Sequence, residues 1–207
     1  MMRIRIVLLC TCLWMLAIVS GLCYMANYDA TPGTVAVNPS VWPAGTSITR
    51  DSQKFTLIMA AHPRCPCTRV SIDELAKILE RTSTGVNVQI LFFKPRGADW
   101  APTGIWRQAA AIPGASTVWD EDGVEAARFG AHTSGHTLLF DHHGTLLFSG
   151  GLTRSRGHAG PSIGNRAVAS WLTPNETGAG TSLVFGCALN DLQSPCTEGN
   201  KACPNCQ

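Results

Sequence analysis

A long uncharged stretch near the N-terminus constrains the fold of this chain more than any other feature. Arg3 and Arg5 are followed by residues 6–26, which contain no charged side chain. About 20 apolar residues, each adding 1.5 Å to a helix, cross a hydrocarbon core of roughly 30 Å. Secretory signals have a shorter apolar core of about 7–15 residues. We therefore predict that residues 1–26 form an uncleaved transmembrane anchor rather than a cleaved signal.

The positions of the basic residues predict the orientation of this anchor. No lysine or arginine follows the span until Arg50. The basic N-terminus should therefore stay in the cytoplasm. This predicts a single-pass protein of a bacterial inner membrane with its domain in the periplasm. Residues 27–52 contain several prolines and glycines among small polar residues, which predicts an extended linker.

The remaining chain suits one globular domain. About 180 residues follow the anchor, enough for a single hydrophobic core. The net charge of +2, with acidic and basic residues interspersed, argues against a nucleic-acid partner. We assign residues 53–174 to the domain and residues 175–207 to a cysteine-rich tail.

Apolar periodicity within the domain predicts an α/β fold. Strands and helices alternate, and a strand hairpin and a last helix follow, so we expect a mixed sheet flanked by helices. Strands are predicted at 54–61, 86–94, 116–119, 137–141 and 145–149, and helices at 68–81, 103–111, 124–129 and 165–172.

Cys65 and Cys67, separated by Pro66, lie where the first strand gives way to the first helix of the domain. Proline suits the first turn of a helix because its φ is preset and it has no amide hydrogen to leave unpaired. Unpaired amides and the positive end of the helix dipole favour thiolate over thiol. At least one cysteine should therefore have a lowered pKa. The alternative is a structural disulfide or two inert thiols.

This element order and the cysteine motif resemble the thioredoxin-like superfamily over about residues 52–172. The stretches 119–123, 129–130 and 137–144 resemble membrane-tethered periplasmic thiol-disulfide oxidoreductases of cytochrome maturation, and more weakly RedB-type proteins. The resemblance implies protein thiols or disulfides as substrates and no cofactor. It also implies that Cys65 attacks and that Cys67 is the more buried, resolving thiol.

The chain departs from that family at two positions. Only Pro66 separates the cysteines, whereas the family has two intervening residues. The family's cis-proline before the hairpin corresponds to His136, which we therefore count as a third candidate catalytic residue.

A histidine beside two thiolates also permits a soft-metal site. Cys65, Cys67 and His136, or His132 in place of His136, could bind Cu(I) or zinc. Sco-type copper proteins, which have the same fold, combine two cysteines with one histidine. The alternative function is thus a metal-binding protein or chaperone.

Four further cysteines lie in the tail, namely Cys187, Cys196, Cys203 and Cys206. In a periplasmic segment two disulfides among them are the simplest expectation. Zinc binding, or a redox relay to Cys65 and Cys67, is the alternative.

Overall fold

The computed structural model describes residues 2–34, 37–82 and 85–189. Its first element is helix α1 (Met2–Ala30), which has no buried residue. Within the described residues it is the one helix long and apolar enough to cross a membrane, a property that signal sequences share.

The domain that follows is built on a five-stranded mixed sheet with strand order β3-β2-β1-β4-β5. β1, β2 and β3 are parallel, whereas β4 runs antiparallel to both β1 and β5. This arrangement confirms the predicted mixed sheet flanked by helices. The elements are β1 (Phe55–Ala61), α2 (Pro66–Arg81), β2 (Val86–Lys94), α3 (Gly104–Ala110), β3 (Ala115–Glu121), α4 (Val124–Arg128), β4 (His136–Phe140), β5 (Leu146–Gly151) and α5 (Ile163–Trp171).

The continuous apolar run of β1 is explained by its central place in the sheet. Successive side chains of a strand point to opposite faces, and both faces here are covered. Leu57 and Met59 belong to the core cluster that includes residues of α2, α3 and α5. Ile58 and Ala60 belong to the cluster on the other face, which includes Phe129 next to α4.

A buried carboxylate joins α2 to the chain around α5. Glu74 is 2% exposed and accepts hydrogen bonds from Asn165 (2.6 Å), Lys77 (2.8 Å) and the backbone amide of Gly160 (3.2 Å). Burial alone would raise its pKa, but these donors, Lys77 first, outweigh it and lower the pKa of Glu74. These hydrogen bonds to Glu74 fix the position of α2, whose first turn carries the cysteine motif.

The segment expected to be an extended linker packs against the domain in part. The Trp42 ring lies 5.1 Å from the rings of Phe129 and Phe140, both edge-on, and Ile48 is buried. Aromatic pairs at such distances add stabilisation beyond the area that they bury.

The described part of the expected tail also returns to the domain. We call residues 178–189 the C-terminal segment. Its side chains Val184, Phe185 and Leu189 are buried. Gly33, shortly after α1, donates a backbone hydrogen bond to Val184 (2.8 Å). The structure thus differs from the expectation of a tail separable after residue 174, because apolar side chains anchor this segment. Cys196, Cys203 and Cys206 lie outside the described residues.

Candidate functional site

The cysteine motif occupies the junction between β1 and α2. Cys65 is the residue that precedes the first turn of α2, and Pro66 follows it within that turn. The Cys65 amide donates to the His62 carbonyl (3.2 Å), and the Cys65 carbonyl accepts from the Thr68 amide (3.1 Å). These bonds hold the sulfur of Cys65 at the amide-rich, electropositive end of the helix.

A third cysteine completes the site. Within the described chain, the sulfur atoms of Cys65, Cys67 and Cys187 all lie within 4.8 Å of one another. The Sγ atoms of Cys65 and Cys187 are 2.9 Å apart, although the two residues are 122 positions apart in sequence. The sequence groups Cys187 with the tail cysteines, so its place beside Cys65 differs from the expected pairing within the tail.

Backbone hydrogen bonds hold Cys187 in place. The Ser134 amide donates to the Cys187 carbonyl (2.8 Å), and the Leu189 amide donates to the His132 carbonyl (2.9 Å). An isolated antiparallel bridge joins Thr133 to Ala188. The loop before β4 therefore forms a short ladder with the C-terminal segment.

The hydrogen bonding among the thiols favours a single thiolate at Cys65. Hydrogen bonds from Cys187 and then Cys67 lower the pKa of Cys65 far below its ordinary value, against the effect of burial. The same bond to Cys65 raises the pKa of Cys187. At Cys67 a hydrogen bond to Cys187 acts downward, but its bond to Cys65 and burial prevail and raise the pKa.

The relative burial of Cys65 and Cys67 is the reverse of the family-based expectation. Cys65 is 2% exposed, whereas Cys67 is half-buried. The physical reason is the C-terminal segment, which brings Cys187 against the sulfur of Cys65.

No protein-family model matches the chain, and no curated protein does so either. Solved structures that resemble it include a hypothetical protein from Sinorhizobium meliloti 1021 (TM-score 0.54, 22% identity, 77% of this chain and 93% of that chain). Another is an uncharacterized conserved protein from Geobacillus kaustophilus (TM-score 0.52, 16% identity, 80% of this chain and 95% of that chain). A secreted Mycobacterium tuberculosis disulfide oxidoreductase homologous to Escherichia coli DsbE aligns over 53% of this chain and 80% of its own (TM-score 0.37, 14% identity).

Strand order, the antiparallel β4–β5 hairpin and the cysteine motif at the start of α2 agree with the predicted family resemblance. The chain has a thioredoxin-like fold.

In this thioredoxin-like domain His136 begins β4 and is completely buried. Its Nε2 atom is 2.8 Å from the Ser149 hydroxyl, which donates to the Asn38 side chain (2.7 Å). The Nδ1 atom has no hydrogen-bond partner among the described residues. Burial first, and then the nearby His132, lower the pKa of His136 to about 4, so the imidazole is neutral at pH 7.

The metal-ligand set expected from the sequence is not the one that the fold assembles. His136 and His132 are outside the group of potential ligands around Cys65 and Cys67, and Cys187 takes the third place. The bond of His136 to Ser149 directs its Nε2 atom toward β5 instead.

A cavity of about 430 Å³ reaches the site from the side of Cys187. Cys187 and Gly186 line it, together with Thr133 and, from the end of α1 and from the loop after β5, Tyr28 and Arg156. The Arg156 guanidinium lies 4.8 Å from the Tyr28 ring and also donates to the Gly186 carbonyl. The cavity gives small reactants a route to Cys187, whose sulfur is in contact with that of Cys65.

Proposed function

We propose that the protein is a membrane-tethered thiol-disulfide oxidoreductase of the periplasm, with Cys65 as its attacking thiol. The observation that carries the proposal is the position of the Cys65 sulfur, at the start of α2 and in contact with a second thiol. Thiolates, not thiols, attack disulfides, and the lowered pKa of Cys65 keeps it in the thiolate form at neutral pH.

The length and composition of α1, and the two arginines before its uncharged stretch, support the tether and its orientation. The narrower resemblance to RedB-type or cytochrome-maturation proteins stays a prediction, and so does the identity of the protein substrate.

The decisive test is exchange between the reduced full-length protein in detergent and oxidised glutathione. We expect Cys65→Ser to lower the rate of glutathione release to the uncatalysed background, because the pKa values of the neighbouring thiols Cys67 and Cys187 are raised. Cys23→Ser, which removes an exposed thiol from α1, is the matched control and should exchange like the wild type. Exchange at the wild-type rate in Cys65→Ser would refute the proposal.

A further inference from the structure

We propose that Cys187 is the resolving thiol and that the oxidised protein carries a Cys65–Cys187 disulfide. The inference rests on the proposed function but assigns the second thiol to the C-terminal segment instead of to Cys67.

The sulfur-to-sulfur distance brings Cys187 within reach of a covalent bond to Cys65. A disulfide bond is about 2.05 Å long. The 2.9 Å between the Sγ atoms of Cys65 and Cys187 therefore needs a further approach of about 0.9 Å for a bond.

The geometry of α2 disfavours Cys67 as the partner. Cys67 is already inside the first turn of the helix that Cys65 precedes. With only Pro66 between the two cysteines, a Cys65–Cys67 bond would close a small, strained ring across that turn. Cys187 approaches from a separate segment and imposes no such strain on α2.

The exchange reaction balances with these two residues. The Cys65 thiolate attacks one sulfur of a disulfide RSSR, forms Cys65–S–S–R and releases RS⁻. Cys187, after losing its proton to solvent, attacks the Sγ atom of Cys65 and expels the second RS⁻. The substrate disulfide gains two electrons and becomes two thiols, and the two cysteines lose two electrons and form their disulfide.

The cavity leads to one member of this pair. It is lined by Cys187, whose Sγ atom is 2.9 Å from that of Cys65. Cys65 and Cys67 are not among its lining residues, so a disulfide in the cavity reaches the Cys65 sulfur past Cys187.

Disulfide mapping of the full-length protein tests the assignment. The reduced protein in detergent is oxidised with excess oxidised glutathione, free thiols are blocked, and the protein is digested with trypsin. Cys65 and Cys67 fall in the peptide 65–69, and Cys187 falls in the peptide 167–201. We expect these two peptides to be linked in the wild type.

Four variants identify the sulfur atoms in this link. It should persist in Cys67→Ser and in Cys196→Ser, which removes the other cysteine of peptide 167–201. It should disappear in Cys187→Ser, where glutathione should remain attached to Cys65. Cys65→Ser should show neither the link between the two peptides nor attached glutathione. The backbone bonds that hold residue 187 do not involve its side chain, so Cys187→Ser should fold.

The possible results separate the two proposals. An internal disulfide in peptide 65–69 with Cys187 free would overturn the inference and leave the proposed exchange intact. A link that survives in Cys187→Ser but not in Cys196→Ser would overturn it as well. Absence of any glutathione exchange at Cys65 would instead refute the proposed function.

A second pair of variants tests the position of Cys187 relative to Cys65 and retains all the thiols. A Cβ atom at residue 186 would collide with the backbone carbonyl of Ser134, so Gly186→Ala should push Cys187 away from Cys65. At Gly180 the nearest atom to such a Cβ is 3.8 Å away. We expect a lower yield of the link in Gly186→Ala than in Gly180→Ala, and equal yields would contradict the inference.

Discussion

His136 shows how one buried residue makes stability depend on pH. It is neutral when folded, and its folded pKa of about 4 lies below the 6.5 of an unperturbed histidine. Between these values the unfolded chain binds a proton that the folded chain does not, so stability falls as the pH decreases from 6.5 to 4. At about 1.4 kcal/mol for each tenfold difference in affinity, the loss is about 3 kcal/mol.

Replacing His136 with glutamine should remove most of this loss. Wild-type and variant proteins are compared by denaturant unfolding at pH 7 and pH 4.5. The variant is expected to be less stable at pH 7, because it disturbs the bond to Ser149, but to lose less stability at the lower pH. His142→Gln, in the exposed turn between β4 and β5, is the control. An undiminished pH dependence in the His136 variant would show that another group is responsible.

The C-terminal segment connects packing with chemistry at the level of an element. Val184, Phe185 and Leu189 bury apolar surface against the domain, and the same short segment brings Cys187 to Cys65. A fully buried side chain of these kinds contributes about 1.5–3 kcal/mol. The segment therefore stabilises the domain by several kcal/mol, apart from any role of its cysteine.

Two truncations measure that contribution. Ending the chain after Leu189 keeps the segment and should leave the free energy of unfolding close to that of the full chain. Ending it after Asn175 removes the segment and should lower that free energy by several kcal/mol. Denaturant unfolding under reducing conditions excludes any effect of disulfides. Equal stability of the two truncations would mean that the segment is separable, as the sequence alone suggested.

At the scale of the whole molecule, orientation decides which redox environment the thiols meet. Periplasmic thiols can pair stably, whereas cytoplasmic thiols are kept reduced. The exchange proposed for Cys65 thus depends on the direction in which α1 inserts.

Reporter fusions after Ser52 determine this direction. A reporter enzyme that is active only outside the cytoplasm should be active at this position, because the basic residues Arg3 and Arg5 before the span predict that the N-terminus stays inside. A reporter active only in the cytoplasm should be inactive at the same position, and the opposite pattern would refute the orientation. N-terminal sequencing of the mature protein distinguishes an anchor from a cleaved signal.

Local patterns in the sequence predict more of the fold than of the functional site. The apolar run of β1 and the helical periodicity of α2 predicted both elements, and Pro66 marked the start of the helix. The contact of Cys187 with Cys65 joins residues 122 positions apart, and no local periodicity encodes such a contact. The apolar residues 183–185 near Cys187 are the sequence feature that indicates packing of this part of the tail against the domain. Trp42 likewise indicates that the linker packs against the domain.

The hydrogen bond from Gly33 to Val184 limits how far the domain can stand from a membrane. The few residues between Ala30, the last residue of α1, and Gly33 can span only about 10 Å even when extended. An anchored chain would therefore hold its thiols close to the lipid headgroups. It would meet other anchored proteins by lateral diffusion, at an effective concentration far above that of a freely diffusing partner. A form released from the membrane would keep its chemistry but lose that advantage.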